Sequence, residues 1–184
     1  MADAHEESLN LKKLSASDTS SGARRFPIRI AQDGTWFHEG RPIRRLPLVK
    51  LFSTVLRRDS AGAFWLQTPV EKGQIEVEDA PFTAVDVTVE GSGKSQVLRF
   101  QTNLDDWVAC DAAHPLRVEA GEEGAPRPYI LVRDRLEALI LRPVFYRLAE
   151  LAVAGDGDRD GTLGVWSRDS FFALEAPTKA GDEG

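Results

Sequence analysis

Two short stretches of helical periodicity, each opened by a proline, stand in a chain that otherwise reads as strands and turns. That pattern restricts the fold more than any other feature. In LPLVKLFSTVLRR, Leu48, Leu51, Phe52, Val55 and Leu56 recur at helical spacing and make one apolar stripe. Pro47 suits a first helical turn, where a missing N–H costs nothing. Arg57 and Arg58 suit the negative end of the dipole, so the expected helix runs to Arg58. The second stretch, PVFYRLAELAV, begins at Pro143 and puts Val144, Phe145, Leu148, Leu151 and Ala152 on one face. Around them lie strand-like runs: PIRI, TWFH, AFWLQTPV, QIEVED, FTAVDVTVE, SQVLRFQTN, PYILV and LEALIL. Turn signals separate them: DG at Asp33–Gly34, GSG at Gly91–Gly93 and RDR at Arg133–Arg135.

These features recur in order. PIRI (Pro27 to Ile30) is matched by PLRV (Pro115 to Val118), and each is followed by a hairpin pattern, a proline-started helix, a turn and a tryptophan-bearing strand. Trp166 then sits after its helix as Trp65 sits after the first. The expectation is an α+β fold of internally duplicated small antiparallel sheets, each packed by a helix. The second half is loosely like a pleckstrin-homology domain. The expected organisation is a disordered tail over 1–23, one α+β half over 24–80, a second over 81–176, and a tail over 177–184.

With 42% apolar residues in 184, the chain can build a core. One cysteine permits no internal disulfide, which fits a cytoplasmic setting. The opening residues lack the apolar segment of a secretory signal, and no run is long enough to span a membrane. The net charge of −6 is unevenly spread. From Arg24 to Arg58 there are nine basic and two acidic residues; from Glu71 to Glu123 there are four basic and twelve acidic. Such fields suit an anionic small ligand or packing between oppositely charged surfaces. With most of the chain repelling phosphate and no DNA-reading motif, DNA is excluded as a partner.

No motif carries a reaction, and the expectation is a non-enzyme. GSGKS (Gly91 to Ser95) lacks phosphate-loop spacing and joins two strands, so it reads as a hairpin loop. Asp156, Asp158, Asp160 and Gly161 open like a calcium loop, but its twelfth position is Ser167, so no metal is expected. Cys110 and His114 are too few for zinc, and Pro115 holds His114 extended, so Cys110 reads as a buried structural thiol. TNLDDWV supports two readings. Asn103 caps a short helical turn over Leu104–Ala109, or Asn103, Asp106 and Trp107 face a crevice. Arg41, Arg44, Arg45 and Lys50, before and on the first helix, are the best phosphate candidates.

PIRIAQDGTWFHEGRPIRR, LPLVKLFSTVLRRD, FWLQTPVEKGQIEVEDAPF and FQTNLDDWVACDAAHPLRV together resemble the bacterial domain-of-unknown-function family 1285 (DUF1285), over roughly residues 20–175. The resemblance implies a two-part α+β body with duplicated halves. It implies a ligand site at their junction suited to a nucleotide-like molecule, and a role in signal transduction. Joined with the arginines, the matching residues give the candidate ligand set Trp36, Arg44, Arg45, Trp65, Asn103, Asp106, Trp107 and His114. The implied partners are a nucleotide-like small molecule and a signalling protein, with no cofactor. The alternative is a structural or protein-interaction module without a small ligand.

Overall fold

Alternating apolar positions make each half of the chain a six-stranded sheet. The structure, a computed structural model, describes residues 23–177, and the two expected tails lie outside them apart from Ala23 and Pro177. The chain divides into two compact units between Asp79 and Ala80.

The first unit contains β1 (Arg25–Ile30), β2 (Trp36–His38), β3 (Arg41–Pro42), α1 (Leu46–Thr54), β4 (Leu56–Arg58), β5 (Phe64–Gln67) and β6 (Lys72–Val77). Its sheet runs β3-β2-β1-β6-β5-β4. All neighbours are antiparallel except β1 and β6, which are parallel. Phe26, Ile28 and Ile30 of β1 point into the core, while Arg25, Pro27 and Arg29 point away from it. Helix α1 buries Val49, Phe52 and Ser53, with Phe52 stacked on Trp36 at 6.2 Å between ring centroids.

The second unit contains β7 (Phe82–Glu90), β8 (Val97–Thr102), β9 (Trp107–Ala109), β10 (Leu116–Ala120), β11 (Pro126–Arg133) and β12 (Leu136–Ile140). After them come α2 (Arg142–Glu150), β13 (Val153–Ala154), β14 (Leu163–Ser167) and β15 (Ser170–Ala173). The six-stranded sheet runs β10-β11-β12-β7-β8-β9, with β12 and β7 parallel. The last three strands form a separate antiparallel sheet.

The two six-stranded sheets share one topology. In each, the first three strands form one wing, the last three the other, and the first and sixth strands join them as a parallel pair. The two halves are therefore alike, but not in the alignment read from the sequence. The strand equivalent to β1 is β7, not the PLRV strand β10, which lies at a sheet edge. Trp65 lies on β5, whereas Trp166 lies on β14 in the three-stranded sheet, so the two tryptophans are not equivalent. The helices also differ in place: α1 falls between the third and fourth strands, α2 after the sixth. Nor are the main sheets purely antiparallel.

Two local expectations are corrected. The first helix stops at Thr54, and Leu56–Arg58 instead pair as a strand with Phe64–Leu66. Leu56 still belongs to the core, because strand pairing buries it as fully as a longer helix would. Asn103 caps no helix. It lies in the β8–β9 hairpin loop, where Asp105 takes a positive φ of 66° and donates its backbone N–H to the Thr102 carbonyl. In β7 the two-residue alternation breaks at a bulge between Ala84 and Asp86, which leaves Val85 exposed. Arg147 of α2 reaches that bulge, donating to the Asp86 carboxylate and the Val87 carbonyl. Its hydrogen bond, followed by that of the Val87 N–H, holds the Asp86 carboxyl below the usual carboxylate range.

Among the described residues no helix is long and apolar enough to cross a membrane.

Candidate functional site

In the first unit, the chain leaves the short β3 and enters α1 through Arg44 and Arg45, both exposed. Arg45 is the N-cap residue; its carbonyl accepts from Leu48 and Val49, but no side chain caps the helix start and no acidic residue lies in the first turn. Among the described residues, Arg41, Arg44 and Arg45 have no ion-pair or hydrogen-bond partner for their side chains. Three guanidinium groups in five residues thus lead into an uncapped helix N-terminus, a field that favours an anion.

The two tryptophans of this unit are already occupied. Trp36 is 1% exposed, so its ring faces belong to the core rather than to an open stacking surface. Trp65 donates its indole N–H to Asp59 at 2.8 Å, and the Lys72 ammonium lies 4.5 Å from its ring centroid. The hydrogen bond from Trp65, then that from the Ala63 N–H, holds the Asp59 carboxyl below its ordinary value.

In the second unit, Asn103, Asp106 and Trp107 share the β8–β9 hairpin. Asn103 ties this hairpin to β7: its Oδ1 accepts from the Thr83 N–H at 3.1 Å, and its own N–H donates to the Thr83 carbonyl at 2.9 Å. Asp106 is exposed, and its backbone closes the hairpin with Thr102. Trp107, on the edge strand β9, is 47% exposed.

His114 lies in the next turn and is organised by Asp111. The Asp111 carboxylate accepts from the Ala113 and His114 N–H groups, approaches His114 Nδ1 at 3.2 Å, and pairs with Arg168 at 2.8 Å. Burial alone would raise this carboxyl, but those hydrogen bonds outweigh it and the net direction is down from 3.8. A lowered carboxyl stabilises the fold above its unfolded value and loses that contribution as pH falls through the folded one. Acid should therefore weaken the turn below about pH 4. Asp111→Asn should flatten that part of a stability–pH curve measured by urea unfolding between pH 6 and pH 2.5. An unchanged curve would show that Asp111 is not coupled to folding.

Cys110 is fully buried, and burial pushes its thiol up to about 12. A thiol held protonated is a poor nucleophile.

The GSGKS segment forms a single 3₁₀ turn between β7 and β8. Lys94 bonds Asp156 at 2.5 Å and lies 4.6 Å from the Trp166 ring centroid. That engages the first carboxylate of GDGDRDG, and Gly157–Arg159 form a second 3₁₀ turn. Among the described residues there is no group of three or more metal-ligating side chains.

Sequence reasoning missed one site feature. A cavity of about 430 Å³ opens on the first unit along the β1–β6 seam, lined by residues including Arg25, Glu39, Gln74 and Glu76. The alternation of Arg25, Pro27 and Arg29 signals the outer face of β1. The pairing of β1 with a strand almost fifty residues away carries no local signal.

The comparisons agree with this two-unit architecture. Residues 21–80 match the N-terminal domain of unknown function DUF1285, and residues 81–174 match the corresponding C-terminal domain. The chain belongs to the DUF1285 family. A crystal structure of a DUF1285 family protein from Silicibacter pomeroyi DSS-3 is 40% identical, with a TM-score of 0.79, covering 92% of this chain and 94% of that one. A DUF1285 family protein from Shewanella baltica OS155 is 23% identical with a TM-score of 0.53, covering 67% of this chain and 91% of that one; it shares the fold. No curated protein matches this DUF1285 chain.

Proposed function

We propose that this DUF1285 protein is a non-catalytic module of bacterial signalling that binds an anionic, nucleotide-like small molecule. The observation that carries the reading is the trio Arg41 on β3 with Arg44 and Arg45 at the uncapped start of α1, all exposed and unpaired among the described residues. Guanidinium groups present planar, forked donors that match phosphate oxygens, and the free backbone donors of a helix start add to them. A non-catalytic role is supported by the state of the candidate nucleophile and base. Cys110 is buried with its thiol raised, and His114 is held in a turn by Asp111.

A thermal-shift screen of nucleotides on the full chain is expected to find a stabilising hit, because a ligand bound only by the folded state raises its stability by about 2.7 kcal/mol at one hundred times its Kd. The shift should vanish in the Arg44→Ala/Arg45→Ala double variant and persist in Lys94→Ala, whose ammonium is engaged by Asp156 and Trp166. If no nucleotide stabilises the protein, or the double variant keeps the shift, this reading fails.

One observation favours the second reading, a protein-interaction module with a signalling protein as partner. Tyr146 on α2 is 62% exposed and Val85 on the β7 bulge 43%. Apolar groups left open in this way suit a protein contact. The loosely pleckstrin-homology-like reading of the second unit belongs here too, supported by a helix that follows six strands and packs on the first of them.

A further inference from the structure

The parallel seam of the first sheet is open. Arg25 of β1 pairs with Gln74 of β6, but the next pair is Arg29 with Glu76: four steps along one strand against two along the other. Phe26, Pro27 and Ile28 consequently have no paired residue on β6. The 430 Å³ cavity lies along this stretch, within the range of small-molecule sites, about 300–1,000 Å³. Pro27, on the outward face of β1, supplies the apolar side chain of its base, while Phe26, Ile28 and Ile75 turn theirs into the core.

The charges around the cavity are unevenly committed. Arg29 is anchored, bonded to Glu78 and stacked 4.2 Å from the Phe37 ring centroid. Arg25, Glu39 and Glu76 have no side-chain partner among the described residues. Glu39 is held at the rim by the β2–β3 turn, where it and Gly40 both take positive φ, 50° and 75°. One free guanidinium and two free carboxylates thus border one groove with an apolar base.

We infer that this seam cavity binds a small amino-acid zwitterion carrying a second positive group. Its carboxylate would meet Arg25, its two cationic groups would meet Glu39 and Glu76, and its methylene chain would lie over Pro27. A nucleotide does not fit this charge pattern, so the site is separate from the arginines before α1. The two proposals fail independently.

The test is calorimetric titration of the full chain with L-arginine, L-lysine and L-glutamate. Arginine or lysine should give a saturable single-site isotherm, and glutamate none. Glu39→Gln and Glu76→Gln should each weaken that binding roughly tenfold, the loss expected when one charge-assisted hydrogen bond is removed. Arg25→Ala should weaken it similarly. These side chains are unpaired, so the variants should unfold at the wild-type denaturant midpoint, which separates lost binding from lost folding. No saturable heat from arginine or lysine at 10 mM (~10 mM being far above the Kd of a specific site) would overturn the inference. So would glutamate binding equally well, or both glutamine variants binding as wild type.

Discussion

Replacing Trp36 with alanine is expected to cost the fold about 3–5 kcal/mol, the range for deleting a large buried aromatic side chain. Trp36 is 1% exposed, lies opposite Ile30 on β1 and stacks on Phe52 of α1. Its stacking on Phe52 is one of the contacts that pack the helix on the sheet in the first unit. Trp36→Phe should cost well under half as much. The indole Nε1 is buried with no hydrogen-bond partner among the described residues. Leaving such a donor unmade costs about 1–3 kcal/mol, and phenylalanine removes it while keeping an aromatic ring against Phe52. Urea unfolding of both variants checks this. A loss under 1 kcal/mol for the alanine variant would show that Trp36 is not a core residue (a surface change is usually within about 0.5 kcal/mol). An equal loss for both variants would mean that the N–H is in fact satisfied. The result also governs binding experiments, because a Trp36→Ala protein that no longer binds a ligand has first lost stability.

The physics of single elements is legible in the sequence; the physics of pairing is not. Alternation and turn chemistry identify β1, β7, β8, β11 and β12, because burial on one face imposes a two-residue period whatever the partner strand. The first helix shows where such reasoning stops. Leu56 continues the helical stripe, yet it also fits the alternation of a strand, and pairing with Leu66 decides the matter. Tertiary context overrides a local period whenever both patterns share the same residues. The repeat shows the same limit at a larger scale. PIRI and PLRV are similar tetrapeptides, but one is the central strand of its sheet and the other an edge. Strand order preserves the duplication, while the tetrapeptides, the tryptophans and the helices point to a different alignment.

The candidate site divides the same way. Arg44 and Arg45 are visible as unpaired charge near a helix start, a feature of local sequence. Trp36 and Trp65 are candidates by chemical type, and type alone does not tell a stacking platform from a core ring or from one already covered by Lys72. Asn103 reads correctly as a side chain that satisfies backbone, but its partner is Thr83, twenty residues away, rather than a helix of its own. The seam cavity has no local signature, because it arises from a mismatch of step between two strands distant in the chain.

Ser167→Ala should lower stability by about 2–4 kcal/mol, a large effect for the loss of one oxygen. Ser167 is fully buried at the end of β14. Its hydroxyl donates to the Cys110 carbonyl at 2.6 Å and accepts from the Leu98 N–H at 3.0 Å. Leu98 lies on β8, and Cys110 follows the end of β9 and donates its own N–H to the Leu98 carbonyl. The serine thus ties the three-stranded sheet to the edge of the six-stranded one. Alanine leaves a buried donor and a buried acceptor unmade, each worth about 1–3 kcal/mol. Ser170→Ala, at a half-buried position on β15, is the control and should change stability by no more than about 0.5 kcal/mol. Amide hydrogen exchange localises the effect: the Leu98 N–H should exchange faster in Ser167→Ala than global destabilisation alone accounts for. If Leu98 keeps its wild-type protection relative to its neighbours, the N–H has another partner, and the serine does not join the two sheets in the way its geometry indicates.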